Sequence, residues 1–213
     1  MSAVEQLLEK VSSYLSDGQP HTIGIYGHGA SGKSVFAKKL ATRLDESQVN
    51  MLETDPYVIA EDNRGLICLS AFPEQKVTAC LPSVHELGSL KRDILSLQSG
   101  LDIMTIATTW LPARRLPAAK PILIVEGMSV AFLPKSLFDL SICFYTDVET
   151  ELNRRLNRDV SHRGREKSWV ETAHHARRKQ YEKYYKPYQA EADIIVNQSA
   201  NDFKIEKWTD ILK

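Results

Sequence analysis

The 213-residue sequence predicts an α/β fold: a three-layer sandwich with a mainly parallel five-stranded sheet between helices. Three observations predict it. Short β-branched or apolar runs recur at residues 22–26, 49–52, 122–125, 140–145 and 193–196. Helical periodicity fills the stretches between them, and strands alternating with helices specify a parallel sheet covered on both faces. A glycine-rich turn, Gly27-His28-Gly29-Ala30-Ser31-Gly32-Lys33-Ser34, joins the first strand to the next helix.

Each element has its own signal. Val4, Leu7, Leu8, Val11 and Leu15 recur at helical spacing, so residues 2–16 read as an amphipathic helix ended by Asp17, Gly18 and Pro20. Residues 34–44 form the helix after the glycine turn, with Val35, Phe36, Leu40 and Leu44 on its buried face. The strand at 49–52 runs into the Asp55-Pro56-Tyr57 turn. Residues 66–71 and 76–81 are expected to pair as a hairpin across Pro73. A helix spans 84–98 and stops at Gly100, and residues 101–107 are a further strand candidate before a loop at 110–121. Ile122-Leu123-Ile124-Val125 is continuously apolar, as a doubly buried strand requires. Helices at 148–160 and 168–188 flank the last strands. With no repeat, low-complexity tract or linker, residues 1–213 read as a single domain.

Composition narrows the function classes. Lys+Arg and Asp+Glu are both 27, so no overall field calls for nucleic acid or an anionic membrane. No run approaches the roughly 18 apolar residues of a membrane span. Cys68, Cys80 and Cys143 lack CxxC spacing, which argues against a disulfide framework or zinc site and for a reducing, cytoplasmic setting. The first helix carries acids and is not a signal peptide. Self-association into a homo-oligomer stays open.

The glycine turn matches GxxxxGK[ST], between a strand and a helix as that motif requires. It also satisfies GxGxxG through Gly27, Gly29 and Gly32, with Asp55 placed where a dinucleotide fold keeps its ribose-binding acid. Lys33-Ser34 decides against that rival, because a dinucleotide turn has no use for the pair. The expectation is a P-loop NTPase fold in which Gly27, Gly29, Ala30, Ser31, Gly32, Lys33, Ser34 and Val35 contact ATP. Lys33 reaches the β/γ-phosphates and the Ser34 hydroxyl ligates Mg²⁺.

Two acids lie at strand ends. Glu126 follows four apolar residues and takes the Walker-B position, serving Mg²⁺; a plain surface acid is the alternative. Asp55 ends the second strand on the same edge, where a kinase needs a base near the attacking hydroxyl. Asp-Pro is equally a turn initiator, and composition leaves both readings open. Between residues 151 and 186 there are eleven Lys/Arg against five Asp/Glu. Arg154, Arg155, Arg158, Arg163 and Arg165 are concentrated there, with Gly164 between the last two. They suggest an arginine-rich lid over about 159–168 that stabilises a transferring phosphoryl group. Nucleic-acid binding is the rival, but no aromatic-interleaved basic platform accompanies the cluster.

The ordered set of GxxxxGKS, Asp55-Pro56-Tyr57, ILIVEG at 122–127 and RRxxRDxxxRGR at 154–165 resembles the uridine kinase and phosphoribulokinase group of P-loop kinases, with bacterial pantothenate kinase among them. The resemblance runs over about residues 23–198. It implies transfer of the ATP γ-phosphoryl to a hydroxyl of a small-molecule acceptor. It implies that Asp55 is the catalytic base and lies by the metal, that Ser34 and Glu126 serve Mg²⁺, and that Arg158 and Arg163 attend the phosphates beside Lys33. Arg155 and Arg165 then face the acceptor, as do Tyr57 and the His85-Glu86 pair, in an acceptor-side elaboration over about 56–118. There the sequence departs from the group. The 101–115 stretch lacks the Tyr and His that hold a base, Leu81-Pro82-Ser83-Val84-His85-Glu86 replaces a ribose-holding stretch, and Ala173 stands where a polar residue is expected. The donor half matches and the acceptor half does not. His174-His175 reads as surface helix, and Trp110 with Arg114-Arg115 lies in a loop that either caps the acceptor or is an ordinary surface loop. The alternative function is an ATP-binding regulatory or assembly protein without kinase turnover.

Overall fold

The computed structural model describes residues 2–212 except His162 and Arg163. Ser2 opens α1 (Ala3–Leu15), its Oγ accepting the Glu5 amide at 3.3 Å, and Leu7, Leu8, Val11 and Leu15 form the buried stripe. β1 (His21–Gly27), α2 (Lys33–Arg43) and β2 (Val49–Glu53) follow. A one-turn α3 (Glu61–Arg64) and α4 (Leu87–Gln98) lead to β3 (Ile103–Met104) and β4 (Arg115–Leu116), which pair antiparallel with each other, apart from the main sheet. β5 (Ile122–Glu126), β6 (Leu140–Tyr145), α5 (Val148–Arg155), α6 (Lys167–Gln180), β7 (Ile194–Asn197) and β8 (Lys204–Lys207) complete the chain order.

The main sheet runs β2-β5-β1-β6-β7-β8; the first five strands are mutually parallel and β8 is antiparallel to β7. The expected five-stranded sheet is therefore six-stranded. β8 is Lys-Ile-Glu-Lys with only Ile205 partly buried, so it lacks the apolar run of its parallel neighbours. Its charges suit an edge, where they discourage pairing with another chain. Alternation along the inner strands feeds two cores. Ile23, Ile25, Ile124, Ile142 and Phe144 face α1 and α2, while Tyr26, Leu123, Val125 and Cys143 face α4 and the segment after α6.

Other expectations are corrected. The 66–71/76–81 hairpin does not form: these residues make turns, Leu66 is exposed, and Val77 and Leu81 bury instead with Val84 in a small cluster against Ile59, Leu69 and Tyr184. The strand expected at 101–107 contracts to Ile103–Met104. Val35 is 61% exposed and not on the buried face of α2, whose core residues are Phe36, Ala37 and Leu40. α5 continues from Arg155 into a widened π-type turn at Leu156–Val160. No helix among the described residues is long and apolar enough to cross a membrane.

Candidate active site

The register of the sheet assembles the site at one edge. Ile25 of β1 and Glu53 of β2 both lie opposite Glu126, and Gly27 lies opposite Phe144. Thus the glycine loop, the end of β5 and the turn after β2 open on the carboxyl edge, where open α/β sheets gather ligands.

The loop's glycines are sterically required. A Cβ on Gly27 (φ +147°) would sit 2.0 Å from the Phe144 carbonyl oxygen, and one on Gly32 (φ +95°) would sit 1.8 Å from Gln198 Oε1. Ala30 holds φ +65° despite its side chain, a left-handed conformation costing about 1 kcal/mol. Gly32 caps α2 without a side-chain hydrogen bond, so the helix's first amides remain available to an anion. The buried Ser31 Oγ has no hydrogen-bond partner among the described residues. A phosphate fits this chemistry.

Glu126 lies within this edge, 8% exposed. Ser34 Oγ donates to its Oε1 at 2.9 Å, and Lys33 Nζ is 3.6 Å from the same oxygen. Burial raises the Glu126 pKa; Lys33 and the Ser34 hydroxyl oppose that rise, and the nearby Asp55 and Glu53 add to it. The flanking main chain is tight: Gly127 has φ +142°, and a Cβ there would meet Thr54 Oγ1 at 2.0 Å. One carboxylate and one hydroxyl are hard oxygen donors suited to Mg²⁺. No group of three His, Cys, Asp or Glu that would cage a metal exists among the described residues. Mg²⁺ at phosphates is commonly held by one or two protein oxygens together with the phosphates themselves.

Asp55 follows β2 in a short turn, Asp55–Tyr57, with its side chain exposed and within electrostatic range of Glu126, Arg64 and His85. Two of its expected companions are engaged inside the fold. The Tyr57 hydroxyl donates to Asp93 Oδ2 at 2.6 Å, and the ring is 1% exposed. His85 Nε2 meets the Ala79 carbonyl at 2.9 Å and Nδ1 meets Ser129 Oγ at 2.7 Å. A carbonyl only accepts, so the ring proton sits on Nε2 and Nδ1 accepts from Ser129. Burial pushes the His85 pKa down to about 4. Glu86 is exposed at the start of α4, its amide donating to the Tyr57 carbonyl at 2.7 Å.

The arginines divide into two groups. Arg155, expected to face the acceptor, is instead 7% exposed beneath the glycine loop, donating to Glu151 at 2.8 Å and to the Gly29 carbonyl at 3.4 Å. Arg154 holds the Ala30 carbonyl at 3.2 Å and the Gln198 carbonyl at 2.9 Å. Both are drawn back by the buried helix face they share with Glu151. On the lid side, Arg158 pairs with Asp159 at 2.7 Å, and Arg165 lies over the Trp169 ring at 4.7 Å with its amide bonded to the Asp159 carbonyl. Arg163 lies outside the described residues.

Four residues carried no sequence signal of the place they take here. Glu151 reads as one acid of an amphipathic helix, and His28 occupies a free position of the loop motif, yet the two are buried 3.5 Å apart. Arg64, half-buried near Asp55, donates to the Ile59 carbonyl at 2.7 Å. His174, expected at the surface, is fully buried 4.0 Å from Glu151.

Known proteins resemble this chain in sequence and in fold. The sequence profile of the Phosphoribulokinase / Uridine kinase family matches residues 22–204. A uridine kinase of Clostridium perfringens is 27% identical over 207 residues, covering 91% of this chain and 97% of that one. A uridine kinase of Brevibacillus brevis is 25% identical over 189 residues, covering 84% and 85%. In fold, the chain is similar to D-glycerate 3-kinase from Cryptococcus neoformans, with a TM-score of 0.66 at 11% identity over 98% of this chain and 100% of that one. Phosphoribulokinase from Rhodobacter spheroides gives a TM-score of 0.59 at 18% identity over 85% and 71%. The profile spans nearly the whole chain, which belongs to the phosphoribulokinase / uridine kinase family of P-loop kinases.

Proposed function

We propose that this chain transfers the γ-phosphoryl group of ATP to a hydroxyl of a small metabolite. The observation that carries the reading is the convergence of Ser34 and Lys33 on Glu126, at 2.9 and 3.6 Å, beside the glycine loop. ATP phosphates would lie along the Gly27, Gly29, Ala30, Ser31 and Gly32 backbone, against Lys33, with the exposed Val35 at the rim. Ser34 and Glu126, with Asp55 nearby, would hold Mg²⁺. When bound, that ion neutralises charge on the β- and γ-phosphate oxygens.

Asp55 then accepts the proton of the acceptor hydroxyl. The hydroxyl oxygen bonds to the γ-phosphorus as the bond to the β–γ bridging oxygen breaks, and ADP leaves. Arg158 is supplied by the lid for the γ-phosphoryl oxygens, and it must exchange Asp159 for phosphate to reach them. Arg163 has the same role in this proposal. Arg165, Glu86 and Arg64 are polar groups offered to a substrate on the acceptor side in this proposal.

The test is acceptor-dependent ADP release over a panel of nucleosides, free sugars, sugar phosphates, hydroxy acids and pantothenate. At least one acceptor should raise ADP release well above the ATP-only rate. Tight ATP binding with no acceptor-dependent release across the panel would favour the alternative of an ATP-binding regulatory or assembly protein.

A further inference from the structure

We infer that Glu151 is a positioning residue for the phosphate loop: its carboxylate fixes the Gly29 peptide through His28 and Arg155, and ties that peptide to α6 through Arg178. The inference rests on the ATP-binding part of the proposal above, and on a cluster that no step of that proposal uses.

Glu151 is 3% exposed. Its Oε1 receives Arg155 through Nε at 2.8 Å and Nη2 at 2.7 Å, and its Oε2 receives Arg178 Nη1 at 3.0 Å. His28 Nδ1 is 3.5 Å from Oε2, and the fully buried His174 Nδ1 is 4.0 Å from Oε1. Burial alone would raise the carboxyl pKa, but His28 and Arg155 overcome it and hold the group well below the usual range. The cluster joins three elements: the glycine loop, α5 and α6.

Its geometry reaches the loop backbone at defined atoms. The Thr146 amide donates to His28 Nε2 at 3.0 Å, and an amide only donates, so the ring proton sits on Nδ1. That Nδ1 lies 2.9 Å from the Gly29 carbonyl oxygen, which also receives Arg155 Nη2 at 3.4 Å. Two donors braced by Glu151 therefore face the Gly29 carbonyl toward the cluster. Because the peptide is planar and trans, the Ala30 N–H of the same unit points to the opposite side, away from the cluster. Arg154, one residue from Arg155, holds the next carbonyl, Ala30, at 3.2 Å, where the backbone keeps its left-handed φ of +65°.

The consequence is directional. Without the carboxylate, Arg155 and His28 lose their common anchor, the Gly29 peptide is free to rotate, and an N–H donor to phosphate is lost. Arg178, bonded to both Glu151 and the Thr146 carbonyl at 3.3 Å, passes the position of α6 to the same peptide.

The experiment measures binding of a non-hydrolysable ATP analogue with Mg²⁺ by calorimetry on the full chain. Glu151→Gln keeps the side chain's size and removes its charge; it should weaken analogue binding at least tenfold. Where turnover is followed, KM for ATP should rise while KM for the acceptor stays within twofold. Arg178→Gln, which attacks the cluster from α6, should weaken binding about threefold, and the exposed Glu149→Gln should change nothing. A folded Glu151→Gln protein with wild-type analogue affinity overturns the inference. If that variant does not fold, unchanged affinity in Arg178→Gln overturns it instead. Wild-type protein that fails to bind the analogue removes the functional reading as well, which separates the two failures.

Discussion

The donor and acceptor sides of this site are built on different principles. On the donor side, function resides in the main chain. Gly27 leaves no room for a Cβ against the Phe144 backbone, Gly32 and Ala30 are held left-handed, and Glu126 is fixed by register between β1 and β2. On the acceptor side, residues 55–86 run through short turns, and function has to reside in side chains. Several of those side chains are already committed: Tyr57 to Asp93, and His85 to Ala79 and Ser129. A backbone-built half tolerates little change and advertises itself through glycines. A side-chain-built half can be rewired while the fold survives, so acceptors can differ between proteins that share the donor half.

That contrast can be broken by mutation, beginning with its largest effect. Glu126→Gln should leave the sheet intact and lower kcat by about 100-fold, with a raised Mg²⁺ requirement, because a metal-linked carboxylate supplies several kcal/mol of charge stabilisation. A Mg²⁺ titration of turnover checks this, and an unchanged Mg²⁺ midpoint would show that Glu126 is a structural acid. On the acceptor side the larger effect is expected in stability. The His85 pKa falls to about 4 in the fold against about 6.5 in an unfolded chain. Between these values the unfolded state binds a proton that the folded state does not. His85 thus contributes stability that is complete above pH 6.5 and lost as pH falls toward 4, about 3 kcal/mol in total. Urea midpoints at pH 7 and pH 4.5 should diverge accordingly, and His85→Gln should flatten the difference. A slope that survives His85→Gln would assign it to other groups.

The smallest effect sharpens the boundary between the halves. Tyr57→Phe removes one buried hydrogen bond to Asp93 and should cost about 1 kcal/mol of stability while leaving the acceptor KM alone. A raised acceptor KM with unchanged stability would move Tyr57 into the pocket.

The same contrast explains what the sequence made legible. The apolar runs of the parallel strands and the GxxxxGKS turn carry their own physics, so the layered fold and the cradle followed directly. β8 did not, because an edge strand needs charges where an inner strand needs a continuous apolar run. The 66–81 segment has β-branched and apolar residues, but Val77 and Leu81 bury in a small cluster with Val84 rather than along a sheet, and the segment forms turns. Arg155 and Glu151 stand four residues apart on α5, a spacing that a solvated helix face shares. Only tertiary packing turns that pair inward, beneath the loop, and brings His28 to it. His174 departs from expectation for the same reason: polarity suggests the surface, while α6 carries it into the buried cluster. Removing one charge from such a cluster is expected to cost roughly 3–5 kcal/mol, far above the worth of a surface pair.

Asp55 is where the two halves meet, and it offers the most direct measurement. Its carboxylate follows β2, within electrostatic range of Glu126 on one side and of Arg64 and His85 on the other. Turnover and ATP dissociation constant should be measured on the same preparations of wild type and Asp55→Asn, with whichever acceptor supports ADP release. The account expects kcat to fall about 10²–10⁴-fold, as loss of a general base does, with ATP affinity within about twofold. Turnover that persists in Asp55→Asn, with kcat near wild type, would contradict it.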